Sequence, residues 1–339
     1  MAVQTLDGGL GTSLQDYYSV TFDASTPLWA SHLLVSDPAT LLSCQRDFVN
    51  ANIDVLLTAT YQVSIEGFAR TKTPDHPHGI PRNAIPAYLR TAVEVAEKAK
   101  NDRTSIALSL GPYGACMIPG QEYSGNYDEE HSSEDALFCW HWERLRLFTE
   151  ADLIQRMQYI AIETLPRVDE IRASRRAVHA AGITLPLWIS CVFPEETDTL
   201  PDGSTVEQVV QAVVGYLDGG ATPWGIGINC TKIHKLPTLV DKFGNCVASM
   251  VAAGQIQAQD VPSLVLYPDG TNGEVYNTTT QAWEKKEGRR GDTRQWEVQL
   301  AQVVRDARAK GQFRSYLVGG CCKASHYDIK KLGKQLRTD

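Results

Sequence analysis

Short apolar runs alternate along the chain with longer segments in which apolar residues recur at helical spacing. The runs are nearly continuous in apolar residues, as is typical of strands in a parallel sheet whose two faces are both covered. The pattern predicts eight strands, at residues 3–9, 53–61, 104–111, 158–164, 185–193, 224–230, 262–268 and 314–320.

The segments between these runs predict amphipathic helices, because their apolar residues fall three and four positions apart. The clearest examples are residues 206–217, residues 85–100, and residues 165–182, where Pro166 stands in the first turn and Gly182 at the end. Near the C-terminus, Ser325 and Asp328 have the spacing of a capping pair and predict the start of a last helix.

Eight strands alternating with about eight helices predict an α/β protein built from parallel βαβ units. A (β/α)8 TIM barrel fits both this number and the 339 residues, and a doubly wound sheet is the alternative. Residues 194–204 and 269–294 are predicted to be long loops. No internal repeat and no linker is visible, so we expect one domain over residues 1–339.

Charge and composition narrow the possible partners. The chain has 32 basic and 40 acidic side chains, a net charge of −8, and no dense cluster of lysine or arginine, so a nucleic-acid partner is not expected. The N-terminus has no signal-peptide pattern, and no run of about 18 apolar residues predicts a membrane span. We therefore expect a cytoplasmic protein that binds small molecules, with its eight cysteines reduced and available for metal or chemistry, not joined in disulfides.

Polar residues, and one glycine, stand at the carboxyl ends of the predicted strands. They are Asp7, Thr60, Tyr61, Gly111, Glu163, Cys230, Cys321 and Cys322. In a parallel barrel these ends share one face, which carries the active site. Residues far apart in sequence, such as Cys230 and Cys321, are therefore predicted to meet.

Three cysteines on one face predict a thiolate metal site, and zinc is the metal that best suits such ligands. Three protein ligands leave a fourth position for water or substrate. Gly319 and Gly320 are expected to let the backbone turn so that both following sulfurs face one ion. Cys321 and Cys322 as a redox pair, a vicinal disulfide or core fillers are the alternatives. The remaining cysteines that are predicted to be core fillers are Cys44, Cys116, Cys139, Cys191 and Cys246.

Two carboxylates on the same face suit the ammonium group of an amino-acid substrate. Asp7 and Glu163 are the candidates, although Asp7 also fits a turn and Glu163 also fits the N-terminal charge of the following helix. Some loop aromatics are predicted to reach this face, and one or two of them to contact a cationic donor. These aromatics are Trp29, Tyr113, Tyr123 and Tyr127.

Several sequence motifs, in their order along the chain, resemble the homocysteine S-methyltransferases from end to end. The matching pieces are "DGGLGTSL", "LLTATYQVS", "GPYGA", "EYSGNY", "ETLPRVDEIRA", "WISCVF", "GINC", "YPDGTNGEVY" and "GGCC". The resemblance implies a (β/α)8 barrel with catalytic zinc that transfers a methyl group to homocysteine and so forms methionine. The chain departs from the usual pattern at Gly11, near Leu14 and at Lys323–Ser325, where no ligand is expected.

The resemblance also implies roles for particular residues. Cys230, Cys321 and Cys322 look like the zinc ligands and catalytic centre. Asp7 and Glu163 look like the pair that holds the homocysteine amino group, and Gly8 and Tyr61 correspond to positions that line the pocket. S-methylmethionine is the first choice of methyl donor by family analogy and chain length, followed by S-adenosylmethionine. A betaine-type donor and a barrel with structural zinc and no catalysis are the alternatives.

Overall fold

The structure is a computed structural model that describes residues 2–23, 25–271, 274–277, 282–285 and 295–337. Eight parallel strands form its main sheet. They are β1 (Val3–Thr5), β2 (Val55–Leu57), β3 (Ser105–Leu110), β4 (Tyr159–Leu165), β5 (Leu187–Cys191), β6 (Gly225–Asn229), β7 (Ser263–Tyr267) and, after a separate hairpin, β10 (Tyr316–Val318).

The eight strands close into a ring. Seven pairs follow the order β1-β10-β7-β6-β5-β4-β3-β2, and all are parallel. A parallel bridge between Leu6 and Val55 then joins β1 to β2 and completes the circle. The predicted TIM barrel is confirmed, and the alternative of an open, doubly wound sheet is wrong. Each predicted strand corresponds to an observed one, shortened at its ends except for β4, which ends one residue later than predicted.

Helices surround this ring. They are α1 (Leu10–Tyr18), α2 (Leu33–Ser36), α3 (Pro38–Asn50), α4 (Ile65–Arg70), α5 (Ile85–Ala99), α6 (Glu134–Thr149), α7 (Val168–Ala180), α8 (Val206–Val214), α9 (Leu236–Ala252), α10 (Trp296–Lys310) and α11 (His326–Arg337). Their apolar faces pack on the outside of the strands and form the larger of the core clusters. Continuous apolar strands were the correct signal, because each strand faces helices outside and side chains inside.

A smaller core fills the inside of the barrel. Most strands contribute inward side chains to it, namely Leu6, Val55, Ala107, Ala161, Trp188, Val265, Tyr267 and Leu317. Strand β6 contributes glycine instead, and a side chain at Gly225 would meet Val265 and Trp188 at 3.1–3.2 Å. The large indole of Trp188 therefore occupies space that the small residue leaves free, so the barrel is a packed core and not a pore.

Helix boundaries differ from prediction where the backbone imposes a stop. Pro166 lies before α7 rather than in its first turn, because β4 runs through Leu165 and Arg167 is the N-cap. Gly182 follows α7 with a left-handed φ of 67°, as a helix-terminating glycine does. The predicted capping pair is confirmed: Ser325 N–H donates to Asp328 Oδ2 at 2.9 Å, and Asp328 N–H donates back to Ser325 Oγ at 3.4 Å.

The predicted long loop at residues 269–294 contains a short antiparallel hairpin, so that prediction is partly wrong. Its strands are β8 (Glu274–Asn277) and β9 (Ala282–Lys285). Much of the remaining segment lies outside the described residues. Within the described part of the chain, no helix has the length and apolar character that crossing a membrane requires.

Candidate metal and substrate site

A cavity opens at the carboxyl ends of the barrel strands, where the polar residues were predicted to gather. All seven predicted site residues line it, namely Asp7, Gly8, Tyr61, Glu163, Cys230, Cys321 and Cys322. Two other strand-end residues, Thr60 and Gly111, do not line it. The Thr60 hydroxyl instead donates to Ser109 O at 2.7 Å, inside the barrel wall.

Extensions of neighbouring strands bring the cysteines together. Beyond β6, Cys230 N–H donates to Tyr267 O at 3.2 Å. Beyond β10, Cys321 N–H donates to Pro268 O at 2.8 Å, and Cys322 O accepts from Gly270 N–H at 2.8 Å. Both cysteine segments are therefore tied to the end of β7, which lies between β6 and β10 in the sheet.

The same ties place a fourth candidate ligand that the sequence reasoning missed. Asp269 lies between the two residues that bond to Cys321 and Cys322. Its carboxylate and the sulfurs of Cys230, Cys321 and Cys322 all lie within 4.8 Å of one another. Asp269 Oδ2 accepts from Lys232 Nζ at 3.3 Å, whereas its buried Oδ1 has no hydrogen-bond partner among the described residues. A sequence signal existed, since Asp269 follows β7 directly after Tyr267 and Pro268.

Two of the three cysteines are bonded to each other. A disulfide joins Cys230 and Cys321, whose Cα atoms lie 5.4 Å apart, so the prediction that the cysteines form no disulfides is wrong for this pair. The reason is geometric: sulfurs brought close enough to share one ion are also close enough to bond. The alternative of a vicinal disulfide between Cys321 and Cys322 is wrong for this structure, because Cys322 is free.

The protein alone disfavours a thiolate at this place. Burial and, to a lesser degree, the nearby carboxylate of Asp269 together raise the pKa of Cys322 to about 12. Burial likewise raises the pKa of Asp269. A thiol and a carboxyl that are costly to ionise and yet lie close to one another fit a site completed by a cation, since a metal ion stabilises their deprotonated forms.

The backbone around Cys230 adopts an unusual conformation. Its φ is 46°, in the left-handed region that few residues other than glycine adopt. Asn229 supports it: the amide Nδ2 donates to Thr164 Oγ1 at 2.7 Å and to Cys230 Sγ at 3.4 Å, while Asn229 Oδ1 accepts from Thr164 N–H at 2.9 Å. Strained backbone held by buried hydrogen bonds is common at functional sites. Thr164 shares the feature, with a φ of 62°.

The glycines next to the cysteines, which were predicted to let the backbone turn, allow a close approach of two backbone segments. Neither Gly319 nor Gly320 has a positive φ. A side chain at Gly319 would instead meet Asp7 O at 2.5 Å, and one at Gly9 would meet Cys321 O at 2.5 Å. Because these residues have no side chains, the segment Gly8–Gly9 can lie in direct contact with the segment that contains Gly319–Gly320. A hydrogen bond stabilises this contact, since Gly320 N–H donates to Asp7 O at 3.0 Å.

Asp7 is a buried carboxylate with capacity left for a ligand. Its Oδ2 accepts from Leu57 N–H at 2.8 Å, while Oδ1 has no partner among the described residues. Burial raises its pKa well above the usual value, and the nearby charge of Glu163 raises it further. The interpretation of Asp7 as a mere turn former is therefore wrong, because its side chain faces the cavity.

Glu163 faces the same cavity from an irregular point in β4. The register of β4 against β5 shifts between Ile162 and Leu165, which turns Glu163 inward. Its carboxylate accepts a hydrogen bond from the hydroxyl of Ser109, and burial raises its pKa to about 7. The alternative role as an N-terminal charge on α7 is wrong, since α7 begins five residues later.

The cavity is also lined by aromatic rings and a third buried carboxylate. Trp29 and Tyr123 reach it as predicted, together with Tyr61. Glu122 also lines it, with one oxygen, Oε2, buried and without a partner among the described residues. Burial raises the pKa of Glu122 to about 7. Sequence reasoning missed Glu122, although it lies directly before Tyr123 in the motif "EYSGNY".

The other two predicted aromatics belong to a separate cluster. Tyr113 and Tyr127 pack against Trp140 and Leu137, away from the cavity. Tyr113 N–H and the Tyr127 hydroxyl both donate to Glu170, at 2.7 and 2.6 Å. Tyr113 and Tyr127 are therefore packing residues, and of the four aromatics Trp29 and Tyr123 are the two that line the cavity.

The cysteines that were predicted to be core fillers divide by exposure. Cys44, Cys116 and Cys191 are buried, and Cys246 is half-buried. Burial raises the pKa of Cys116 to about 11, which suits an inert thiol. Cys139 is exposed on α6, so the filler prediction is wrong for it.

The barrel and its site together define a class: a (β/α)8 enzyme scaffold with a thiol-rich centre at the carboxyl ends of its strands. The family model for homocysteine S-methyltransferases matches residues 4–336. The chain therefore belongs to the homocysteine S-methyltransferase family, and the predicted resemblance and methyltransferase class are confirmed.

Individual relatives agree with this assignment over nearly the whole chain. Homocysteine S-methyltransferase 4 of Zea mays is 28% identical, with 98% of this chain and 89% of that protein aligned. The homocysteine S-methyltransferase of Escherichia coli (strain K12) is 27% identical, with 96% and 93% aligned. Crystal structures of the homocysteine methyltransferase MmuM from Escherichia coli match with a TM-score of 0.70. Its metallated form is 25% identical and covers 99% of this chain and 96% of that one, and its oxidized form is 26% identical and covers 98% and 96%.

Proposed function

We propose that this protein transfers a methyl group from a sulfonium donor, S-methylmethionine first and S-adenosylmethionine second, to the thiol of L-homocysteine at a zinc site. The observation that carries the proposal is the cluster of three cysteine sulfurs and one carboxylate within 4.8 Å. Ligands of one tetrahedral zinc ion lie about 3.8 Å apart when each is about 2.3 Å from the metal, so the cluster fits zinc with small side-chain shifts.

Cys230, Cys321 and Cys322 would hold the ion, once Cys230 and Cys321 are reduced. Bound Zn²⁺ would supply the positive charge that keeps sulfur ligands, including that of homocysteine, deprotonated near neutral pH. A cytoplasmic location, as the sequence predicts, would keep these cysteines as thiols. Strands from both ends of the chain share the ring, which supports the proposal that residues 1–339 act as one domain.

Asp7 and Glu163 would bind the homocysteine ammonium group. Burial and mutual repulsion raise the pKa of Asp7, and burial raises the pKa of Glu163, so both lack a cation in the protein alone. No lysine, arginine or histidine among the described residues lines the cavity. An ammonium placed between two such carboxylates lets both ionise, and this orients the homocysteine side chain toward the cysteines. Gly8 leaves room for it, and Tyr61 closes the wall.

The reaction balances without a protein acid or base. The homocysteine thiol loses its proton to solvent on binding. Its sulfur lone pair forms the new S–CH3 bond, and the S–CH3 bond of the donor breaks with its electron pair remaining on the donor sulfur. A sulfonium thereby becomes a neutral thioether. Two bound substrates held in line account for the rate, because proximity replaces a bimolecular encounter.

The experiment combines metal analysis with a methyl-transfer assay on freshly reduced, zinc-loaded protein. Homocysteine is offered with S-methylmethionine, S-adenosylmethionine and betaine in separate reactions. We expect about one zinc per chain and methionine formation that is fastest with S-methylmethionine. Turnover with betaine alone would replace the proposed donor class by a betaine-type donor. Zinc without turnover on any donor would instead indicate a structural site.

A further inference from the structure

A third buried carboxylate, Glu122, lies on the cavity wall apart from the Asp7–Glu163 pair. Only 8% of its surface is exposed. Its Oε2 has no hydrogen-bond partner among the described residues, and it lies in a cavity that no described basic residue lines. A charged group this deeply buried is costly unless a cation accompanies it. The empty hydrogen-bonding capacity therefore indicates a cationic ligand group at this wall.

The chain shapes the wall around this carboxylate. Gly120 has no side chain, and a Cβ there would meet Glu122 Oε2 at 2.5 Å. The glycine therefore gives the carboxylate the room that it occupies beside the cavity. The rings of Tyr61 and Tyr123 line the same space. Glu122 and the two rings thus belong to the lining of one cavity.

Glu122 belongs to a different segment from the proposed ammonium site. Asp7 follows β1 and Glu163 lies in β4, whereas Glu122 lies in the loop between β3 and α6. The cavity that Glu122 lines is also lined by Cys230, Cys321 and Cys322. A cation beside Glu122 would therefore share one cavity with the cysteines and be held by a different segment from the ammonium group.

We propose that Glu122 binds the positive charge of the methyl donor and makes the cavity selective for a sulfonium over a neutral thioether. The inference rests on the proposed function. A sulfonium has no N–H groups and needs no set of hydrogen-bond acceptors. One carboxylate and the faces of Tyr61 and Tyr123 suit such a weakly hydrated cation. The same selectivity favours release, because the donor becomes neutral when its methyl group leaves.

The test compares Glu122→Gln with wild type on a charged ligand and a neutral one. S-methylmethionine and methionine share the amino-acid part and differ in the sulfonium charge. Calorimetry on zinc-loaded protein measures the Kd of each, and the assay measures the KM for S-methylmethionine. We expect Glu122→Gln to weaken S-methylmethionine about 10- to 100-fold, as for loss of a buried charge-assisted contact. Methionine and homocysteine should bind within about twofold of wild type.

Two further variants serve as controls for the loss of charge at Glu122. Glu122→Asp keeps the charge and should recover most of the affinity for S-methylmethionine. Glu130→Gln, an exposed change in the segment that follows, should behave as wild type. Circular dichroism and zinc content confirm that each variant is folded and loaded.

The remaining outcomes overturn the inference in distinguishable ways. An unchanged Kd and KM for S-methylmethionine in a turning-over Glu122→Gln enzyme would remove Glu122 from donor binding while leaving the proposed function intact. Equal losses for S-methylmethionine and methionine would assign Glu122 to the donor amino group. If the wild-type protein forms no methionine and binds no S-methylmethionine, that result would contradict both the proposed function and this inference.

Discussion

Buried carboxylates near this end of the barrel differ in whether the protein supplies all of their hydrogen-bond donors. Glu170 accepts from Tyr113 N–H, from the Tyr127 hydroxyl and from His141 Nε2 at 3.0 Å. Asp7, Glu122 and Asp269 each keep one buried oxygen without a partner among the described residues. Here we call the first set the Glu170 cluster and the second the cavity carboxylates.

The difference separates stability from function. Buried polar groups are normally hydrogen-bonded, and leaving them unpaired costs free energy. Glu170 meets that requirement through protein donors, and one of these donors, His141, in turn accepts from Arg144 Nη2 at 3.1 Å. The cavity carboxylates do not meet it, which fits a site whose missing partners are supplied by ligands. Substitutions in the two sets should therefore have opposite consequences.

The largest expected loss of activity follows from substituting a cysteine that lines the same cavity as these carboxylates. Cys322→Ala removes one of the proposed zinc ligands, so the variant should lose bound zinc and at least about 1,000-fold in activity. Zinc content by mass spectrometry and methionine formation measure the two losses. Cys139→Ser, at an exposed cysteine, is the control and should keep both. Full zinc occupancy and activity in Cys322→Ala would remove Cys322 from the site.

Glu170→Gln should chiefly destabilise the fold. It leaves the buried Arg144 guanidinium without its nearby counter-charge, and breaking a buried charged network typically costs about 3 kcal/mol or more. Urea unfolding of the metal-free protein should show the loss, while the activity of the folded fraction should stay within severalfold of wild type. The exposed change Glu129→Gln serves as control. A fully stable but inactive Glu170→Gln protein would show that the two sets are not separable.

Glu163 also lines the cavity, and Glu163→Gln should do the reverse and stabilise the metal-free protein at high pH. Burial raises the pKa of Glu163 from 4.5 to about 7, so the folded state binds a proton more readily than the unfolded state between these values. The stability that this carboxyl contributes is therefore present below pH 4.5 and is lost as the pH rises through 7. The shift corresponds to about 3 kcal/mol.

The measurement is urea unfolding of wild type and Glu163→Gln at pH 5 and pH 8. We expect the variant to gain up to about 3 kcal/mol at pH 8 and much less at pH 5, and to bind homocysteine more weakly. An equal difference at both pH values would mean that the ionisation of Glu163 is not responsible.

The smallest effect is expected for Asp269→Asn. The change keeps the shape but removes a negative charge within 4.8 Å of the three sulfurs. Zinc affinity, measured by chelator competition, should fall about 10- to 100-fold, as for other residues that support a metal site. Asp260→Asn, at an exposed position, should leave it unchanged. Unaltered zinc affinity in Asp269→Asn would limit the ligand set to the cysteines.

The sequence sufficed for the barrel because parallel strands covered on both faces leave a simple signal. Runs of apolar residues marked all eight strands of the ring, and their carboxyl ends marked the cavity face. Asp7 and Glu163 were predicted from that position and from the family resemblance. The structure places both in the cavity, while their roles in binding remain proposals.

Residues placed by contacts between distant segments escaped prediction. Asp269 joins the thiols through backbone bonds of Pro268 and Gly270 to the Cys321–Cys322 segment, a pairing that no local pattern encodes. Glu122 depends on the path of a long loop. Tyr113 and Tyr127 lie in predicted loops, as Trp29 and Tyr123 do. Hydrogen bonds to Glu170 on α7 place them away from the cavity. Side-chain partners from other elements, absent from any local window, decided each case.

The most direct test is zinc-edge X-ray absorption on reduced, zinc-loaded protein before and after addition of homocysteine. Three sulfur neighbours and one lighter neighbour without homocysteine, becoming four sulfurs with it, are the predicted result. They would show that three cysteines hold the ion and that the substrate thiol takes the last position. An unchanged spectrum in the presence of saturating homocysteine would contradict activation of the thiol at this site.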